Sequence, residues 1–233
     1  MHIYQEIYAL NRITVNITML IKTPYTAPDN VKFDLFEIGK HDLTHPTGDF
    51  FYDPWILKSE YKGTVWADIW SSLPIDTGQA RIIVLSSPSC YTQHADIDDR
   101  YHLNLYGNED YLIDVQSQQM YKLEKDNIWY EMDAGRIHTA ISIGEHMRMQ
   151  LVVRKLLTRN ILNDPVNVTI TVGGNTPRYH FDNKISPWLN WASKQSIINS
   201  FKQYDTTVSF DIERSYLQEI KHLLPAEFTY EYR

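Results

Sequence analysis

The chain has 233 residues, 43% hydrophobic and 22% charged, with a formal net charge of −7. This is ordinary globular composition, long enough for one large domain or one domain with an extension. The acidic balance, without a dense Lys/Arg block, argues against general nucleic-acid binding; the single cysteine, Cys90, excludes an intramolecular disulfide and a Cys-rich zinc site.

A lone cysteine fits a reducing compartment, and the N-terminus lacks the basic and then apolar order of a signal peptide, so a cytoplasmic protein is expected. No run approaches the ~18 uninterrupted apolar residues of a spanning helix, and no membrane association is expected. In a cytoplasmic setting the N-x-T sequons at Asn16 and Asn167 carry no meaning.

In chain order, Arg12–Lys22 alternates polar and apolar residues as a half-buried strand does. Residues 23–53 hold several Pro, Gly and Asp and read as loops with short strands. Thr64–Leu73 sets Val65, Ile69, Trp70 and Leu73 at helical spacing, with Thr64 as a cap and Pro74 as a stop. Ala80–Ser87 is a short apolar strand. Strands then follow at Arg100–Leu105, Tyr111–Val115, Gln119–Leu123, Ile128–Asp133, Arg136–Ile143 and Met147–Leu156, separated by turns such as YGNED and EKDN. Short strands at such regular spacing predict a sandwich or a barrel-like double sheet.

After Leu157 the pattern changes. Val166–Asn175 is a strand ending in Gly-Gly; Ser186–Phe201 reads as a helix with Ser186 as N-cap and Pro187 first; Arg214–Pro225 reads as a second helix closed by proline. The expected fold is mainly β with flanking helices. Residues 1–157 form the core with N-terminal strands and a helix, and residues 158–233 form a mixed α/β extension packed on it.

The chemistry concentrates in YTQHADIDDRYHLNL (Tyr91–Leu105). In extended backbone alternate side chains share a face. Arg100, His102 and Asn104 therefore fall on one face, and His94 and Asp96 share a face with each other. Asp98 and Asp99 can interrupt the strand between the two groups. A His-x-Asp pair at strand spacing offers two ligands to one metal, and His138 in RIHTAIS is the natural third. Two imidazoles and a carboxylate on one octahedral face leave three positions open and suit non-haem Fe(II). The bland alternative is a surface His and Asp bonded to each other.

The stretches HADIDDRYHLNL and IHTAISIGEHMRMQLVV together resemble the Fe(II)/2-oxoglutarate-dependent oxygenases, nearest the aspartyl/asparaginyl β-hydroxylase-like branch. The resemblance rests on His94, the Arg100-Tyr101-His102-Leu103 strand, the distal His138, and Arg148 ten residues beyond it. It covers roughly residues 58 to 157. It implies a double-stranded β-helix (jelly-roll, cupin-like) that holds Fe(II) through His94, Asp96 and His138. 2-Oxoglutarate and O2 would be co-substrates, and Arg148 would hold the distal carboxylate of 2-oxoglutarate with its planar fork. Arg100 and His102 would contact the other end of the co-substrate. Some members replace the Asp by Gly; this chain keeps Asp96, so the full triad is expected. The implied activity is hydroxylation of an amino acid, free or within a peptide or protein. The rivals are a differently metallated cupin-like enzyme, which would not need Arg148, and a non-catalytic binding protein.

If the strands Arg136–Ile143 and Met147–Leu156 form a hairpin, His138 and Arg148 share a face with a three-residue Gly144-Glu145-His146 loop, and lie on opposite faces with a two-residue turn. Arg154 has the parity of Arg148 and is the second candidate. His41 and His45 are spaced i, i+4, but Pro46 and Gly48 argue against a helical zinc pair. His146 reads as a turn residue, and His180 and His222 sit among polar residues. Trp188 and Trp191 read as helix packing. Ser86, Ser87 or Ser89 could assist a carboxylate, without the spacing choosing one. No phosphate-binding glycine loop or nucleophile elbow is present.

Overall fold

The computed structural model describes residues 18–28, 42–172, 181–204, 206–224 and 228–233. Eight consecutive strands run from Thr77 to Lys155: β4 (Thr77–Leu85), β5 (Ser89–Cys90), β6 (Arg100–Tyr106), β7 (Asp110–Asp114), β8 (Gln119–Lys122), β9 (Ile128–Met132), β10 (His138–Ser142) and β11 (Arg148–Lys155). Before them come β1 (Leu20–Thr26), β2 (Thr44–Pro46), β3 (Trp55–Leu57) and α1 (Val65–Ser71). After them come β12 (Pro165–Thr171), α2 (Ser186–Lys194), β13 (Ile198–Tyr204), β14 (Thr207–Glu213), α3 (Leu217–Leu223) and β15 (Thr229–Tyr232).

The eight strands divide between two antiparallel sheets, a five-stranded one ordered β1-β9-β6-β11-β4 and a four-stranded one ordered β5-β10-β7-β8. The pairings are nested: β4 with β11, β5 with β10, β6 with β9 and β7 with β8. Alternation along the strands explains the layering. On the five-stranded sheet Tyr101, Leu103, Leu151 and Val153 pack with Trp66 and Ile69 of α1. The opposite face carries Leu20, Tyr130 and Met132, which pack with Leu112 and Ala140 of the four-stranded sheet. Helix α1 starts where Thr64 accepts a hydrogen bond from the Trp66 N–H, the N-cap role expected from sequence.

The last segment builds a third sheet, β13-β14-β12-β15. Its apolar cluster joins Val168, Phe201 and Phe210 to Phe51, Tyr52 and Ile97 from the preceding part of the chain. The Tyr52 hydroxyl accepts from the Phe201 N–H at 2.8 Å. The structure is thus mainly β, with antiparallel sheets and short helices. Among the described residues, no helix is long and apolar enough to cross a membrane.

Three local expectations change. The helix expected over Ser186–Phe201 ends at Lys194; Ser196 turns the chain at φ +61°, and the remainder enters β13. Ile198 and Phe201 of that strand, and Ile197 just before it, are buried, and β-branched residues favour strand. Ser186 is not the cap, because a π-turn over Phe181–Ile185 already precedes it. Strands β10 and β11 are not a hairpin partnership: β10 pairs with β5 and β7, β11 with β4 and β6. The parity rule for a hairpin therefore does not apply to His138 and Arg148. Residues 12–17 of the first expected strand, the Gly173-Gly174 turn, His41, His180 and Pro225 lie outside the described residues.

Candidate metal centre

After β5 the chain leaves regular pairing but continues alongside β10. The Tyr91 N–H donates to the Ala140 carbonyl at 3.0 Å, and the Asp96 N–H to the Ala134 carbonyl at 2.7 Å. Between these anchors His94 and His138 form an antiparallel bridge and exchange both backbone hydrogen bonds, at 3.0 and 2.8 Å. Directly opposed residues of an antiparallel pair send their side chains to the same face. The two rings accordingly lie 4.4 Å apart between centroids. Asp96, two positions on, joins them: one ligand atom from each of the three residues falls within 4.8 Å of the others.

The tautomers are fixed from behind. The Nδ1 of His94 lies 2.9 Å from the Thr92 carbonyl, and the Nδ1 of His138 lies 2.8 Å from the Arg136 carbonyl. A carbonyl only accepts, so each Nδ1 carries the proton and each Nε2 keeps its lone pair. Burial first, and then its neighbours His94 and Arg100, hold His138 down at about 4 against the opposing pull of Asp96. Its ring is neutral at physiological pH, as a ligand must be. Burial pushes the Asp96 carboxyl up, but Arg100, with lesser help from His138, His94 and Arg154, holds it well below the usual carboxylate range. Two imidazoles and a carboxylate suit a divalent transition metal.

The loop carrying His94 and Asp96 is also gripped from the C-terminal segment. The Ala95 N–H donates to the Asp182 carbonyl at 2.8 Å, and Asn190 of α2 donates to the Ile97 carbonyl at 2.9 Å. Asp99 accepts from Asn190 at 3.2 Å and from Lys194 at 2.9 Å. Gly135 makes room for this grip. A Cβ there would lie 2.7 Å from the Asn190 Cβ and closer still to its amide. Gly135→Ala is expected to cost about 1–3 kcal/mol through overpacking, read as a lower denaturant midpoint, with metal affinity weakened alongside.

Behind His138, Arg136 forms an ion pair with the buried Asp114 at 2.6 Å, and Asp114 also accepts from Ser117 at 2.6 Å. Burial raises the Asp114 carboxyl, but Ser117 and Arg136 together bring it below its ordinary value. A depressed folded-state pKa adds stability above the unfolded value of about 3.9, and that stability is lost as pH falls through the folded value. Asp114→Asn is expected to cost about 3 kcal/mol at neutral pH. In urea melts from pH 7 to 3 the gap from wild type should begin to narrow below about pH 4.

The resemblance assigned co-substrate contacts to Arg148, Arg100 and His102. Arg148 and His102 are buried on the inner face of the five-stranded sheet. The oxygen Oε1 of Gln150 accepts from the Arg148 Nη2, so the His102 Nδ1, 3.2 Å from the same oxygen, is also a donor. This leaves Arg148 Nη1 and Gln150 Nε2 as buried donors without a partner, and His102 Nε2 as a buried acceptor without one. Burial, then the neighbouring Arg148, lowers His102 to about 3. Arg148, pressed by burial to about 10, still carries its charge at neutral pH. Asp110 and Ser142, opposed across β7 and β10, add buried oxygens close enough to interact with each other, and Asp110 is close enough to pull the Arg148 pKa back up.

Arg100 is engaged elsewhere, by Asp96 at 3.1 Å and by Asp98. Arg154 is held by Asp98 at 2.7 and 2.9 Å. Ser87 donates to the Gly144 carbonyl, and Ser89 pairs with Ser142 in the β5–β10 ladder. The sequence reading missed Asp98, Gln150 and Asp110. Asp98 and Gln150 could have been found by parity, since each extends a stripe already containing a predicted site residue. The chain matches no family model and no curated protein.

Proposed function

We propose that the protein is an Fe(II)- and 2-oxoglutarate-dependent hydroxylase acting on an amino acid or on a residue within a peptide or protein. The observation that carries this reading is the convergence of two tautomer-fixed Nε2 lone pairs, from His94 and His138, with the Asp96 carboxylate. The nested pairing of eight strands across two sheets supports a double-stranded β-helix, the jelly-roll arrangement. In that arrangement the ligands come from the second strand's extension and the seventh strand, and Arg148 opens the eighth.

Fe(II), with 2-oxoglutarate and O2, would supply oxidising power that couples loss of CO2 from the co-substrate to hydroxylation of a C–H bond. The chain's own residues hold and orient. His94, Asp96 and His138 would bind the metal, and the Thr92 and Arg136 carbonyls keep both rings in the ligating tautomer. Arg148 Nη1 and Gln150 Nε2 offer donors to a carboxylate. Arg100, held by two acids, orients Asp96 instead of meeting the co-substrate. His102 presents an acceptor, which suits a hydroxyl or a water better than a carboxylate oxygen. Burial of these groups keeps bulk water from competing for them.

Protein loaded with Fe(II) is expected to release succinate from 2-oxoglutarate in the presence of ascorbate, slowly alone and faster with its substrate. Failure to bind a divalent metal, together with no succinate, would sink the proposal. Stimulation of succinate release across a panel of amino acids and peptides would identify the substrate.

A further inference from the structure

Arg154 and Arg100 stand directly opposite each other in the β6–β11 ladder. Like charges at such a position repel, and both side chains are largely withdrawn from solvent, 19% and 5% exposed. Asp98, 2% exposed, resolves the conflict. It meets Arg154 Nη1 with both oxygens, at 2.7 and 2.9 Å, and meets Arg100 Nη1 with Oδ2. Arg100 then turns its other arm, Nη2, to Asp96 Oδ1 at 3.1 Å.

The far end of this chain is anchored away from the metal centre. The Arg154 guanidinium lies 5.0 Å from the Phe50 ring and 5.7 Å from the Phe51 ring, and its Nε donates to Gln79 at 3.4 Å. Two acids and two arginines make the network neutral. A guanidinium is a rigid planar fork, so fixing one arm of Arg100 fixes the direction of the other.

We propose that Asp98, clamped from behind by Arg154, is a positioning residue for the metal ligand: it aims Arg100 at one oxygen of Asp96 and so turns the other oxygen toward His94 and His138. This rests on the reading of His94, Asp96 and His138 as a metal site. Asp96 would then bind through one oxygen only.

The test uses the full chain with Co(II) as the probe, reading its dissociation constant, its visible absorption and the melting temperature. Asp98→Asn leaves two buried arginines against one acid and is expected to lower the melting temperature as well as the affinity. The double variant Asp98→Asn/Arg154→Gln restores neutrality. It should regain much of the melting temperature while binding Co(II) ~10–100-fold more weakly than wild type, with a shifted absorption band. Asp98→Glu keeps the charge and the fold but lengthens the arm, and should lose several-fold in affinity. Wild-type affinity and spectrum in the double variant, or in Asp98→Glu, would overturn the proposal and leave Asp98 as a charge neutraliser. If wild-type protein itself binds no Co(II), the metal reading falls and this inference falls with it.

Discussion

His138→Ala is expected to remove divalent-metal binding and, with it, succinate formation from 2-oxoglutarate. The loss should exceed the ~10–100-fold that follows removal of a hydrogen-bond partner behind a ligand, because the ligand itself goes. The fold should survive. The bonds that join His138 to His94 run through backbone N–H and C=O groups, and alanine keeps both. Calorimetric titration with Fe(II) or Mn(II), beside a thermal melt, separates the two effects. A variant that melts like wild type but no longer binds metal supports the site. A variant that binds metal unchanged removes His138 from it.

Arg148→Ala is expected to leave metal binding intact and weaken 2-oxoglutarate binding. Truncating one partner of a buried charged contact costs about 2–5 kcal/mol, or ~30-fold and more. Arg148→Lys should recover little, since an ammonium cannot offer the two parallel donors of a guanidinium. The measurement is 2-oxoglutarate affinity in metal-loaded protein, with Arg154→Gln as the comparison. Because Arg154 is occupied by Asp98, its loss should act on stability and on the metal ligand, not on a carboxylate pocket. Indifference to Arg148→Ala would favour a differently metallated cupin-like protein, which has no need for a dicarboxylate partner.

Seven of the eight central strands were legible because their pattern is local; the two-residue β5, Ser89–Cys90, was not. Polar and apolar residues change sides every second position, and turns such as YGNED mark the ends. Helix α1 was legible from Thr64 and its apolar spacing. The pairing was not. Nothing in the sequence between His138 and Arg148 says that β10 and β11 belong to different sheets, so a hairpin was the simplest expectation.

The helix expected through Phe201 failed for a similar reason. Ile197, Ile198 and Phe201 satisfy helical spacing as well as a strand with a bulge, and the left-handed turn at Ser196 carries no glycine to announce it. At the site, the His94, Asp96 and His138 grouping followed from residue type and spacing. The allocation of arginines did not, because it depends on which carboxylate reaches which guanidinium. Asp98, expected only as a break in the strand, decides that allocation.

The nested pairing of β4 to β11 also bears on how the molecule is made. Only β7 and β8 are neighbours in sequence; each further pair closes a larger loop around them, so long-range contacts dominate and the closing entropy rises outward. Such topologies fold in milliseconds to seconds, well behind helical bundles of similar size. On a ribosome, His94 emerges well before His138, its partner across the isolated bridge, and the three-residue cluster can form only after His138 has followed. If the three residues bind a metal as proposed, loading would be a late event in biogenesis, and nascent chains halted before β10 would leave the ribosome with no centre to load.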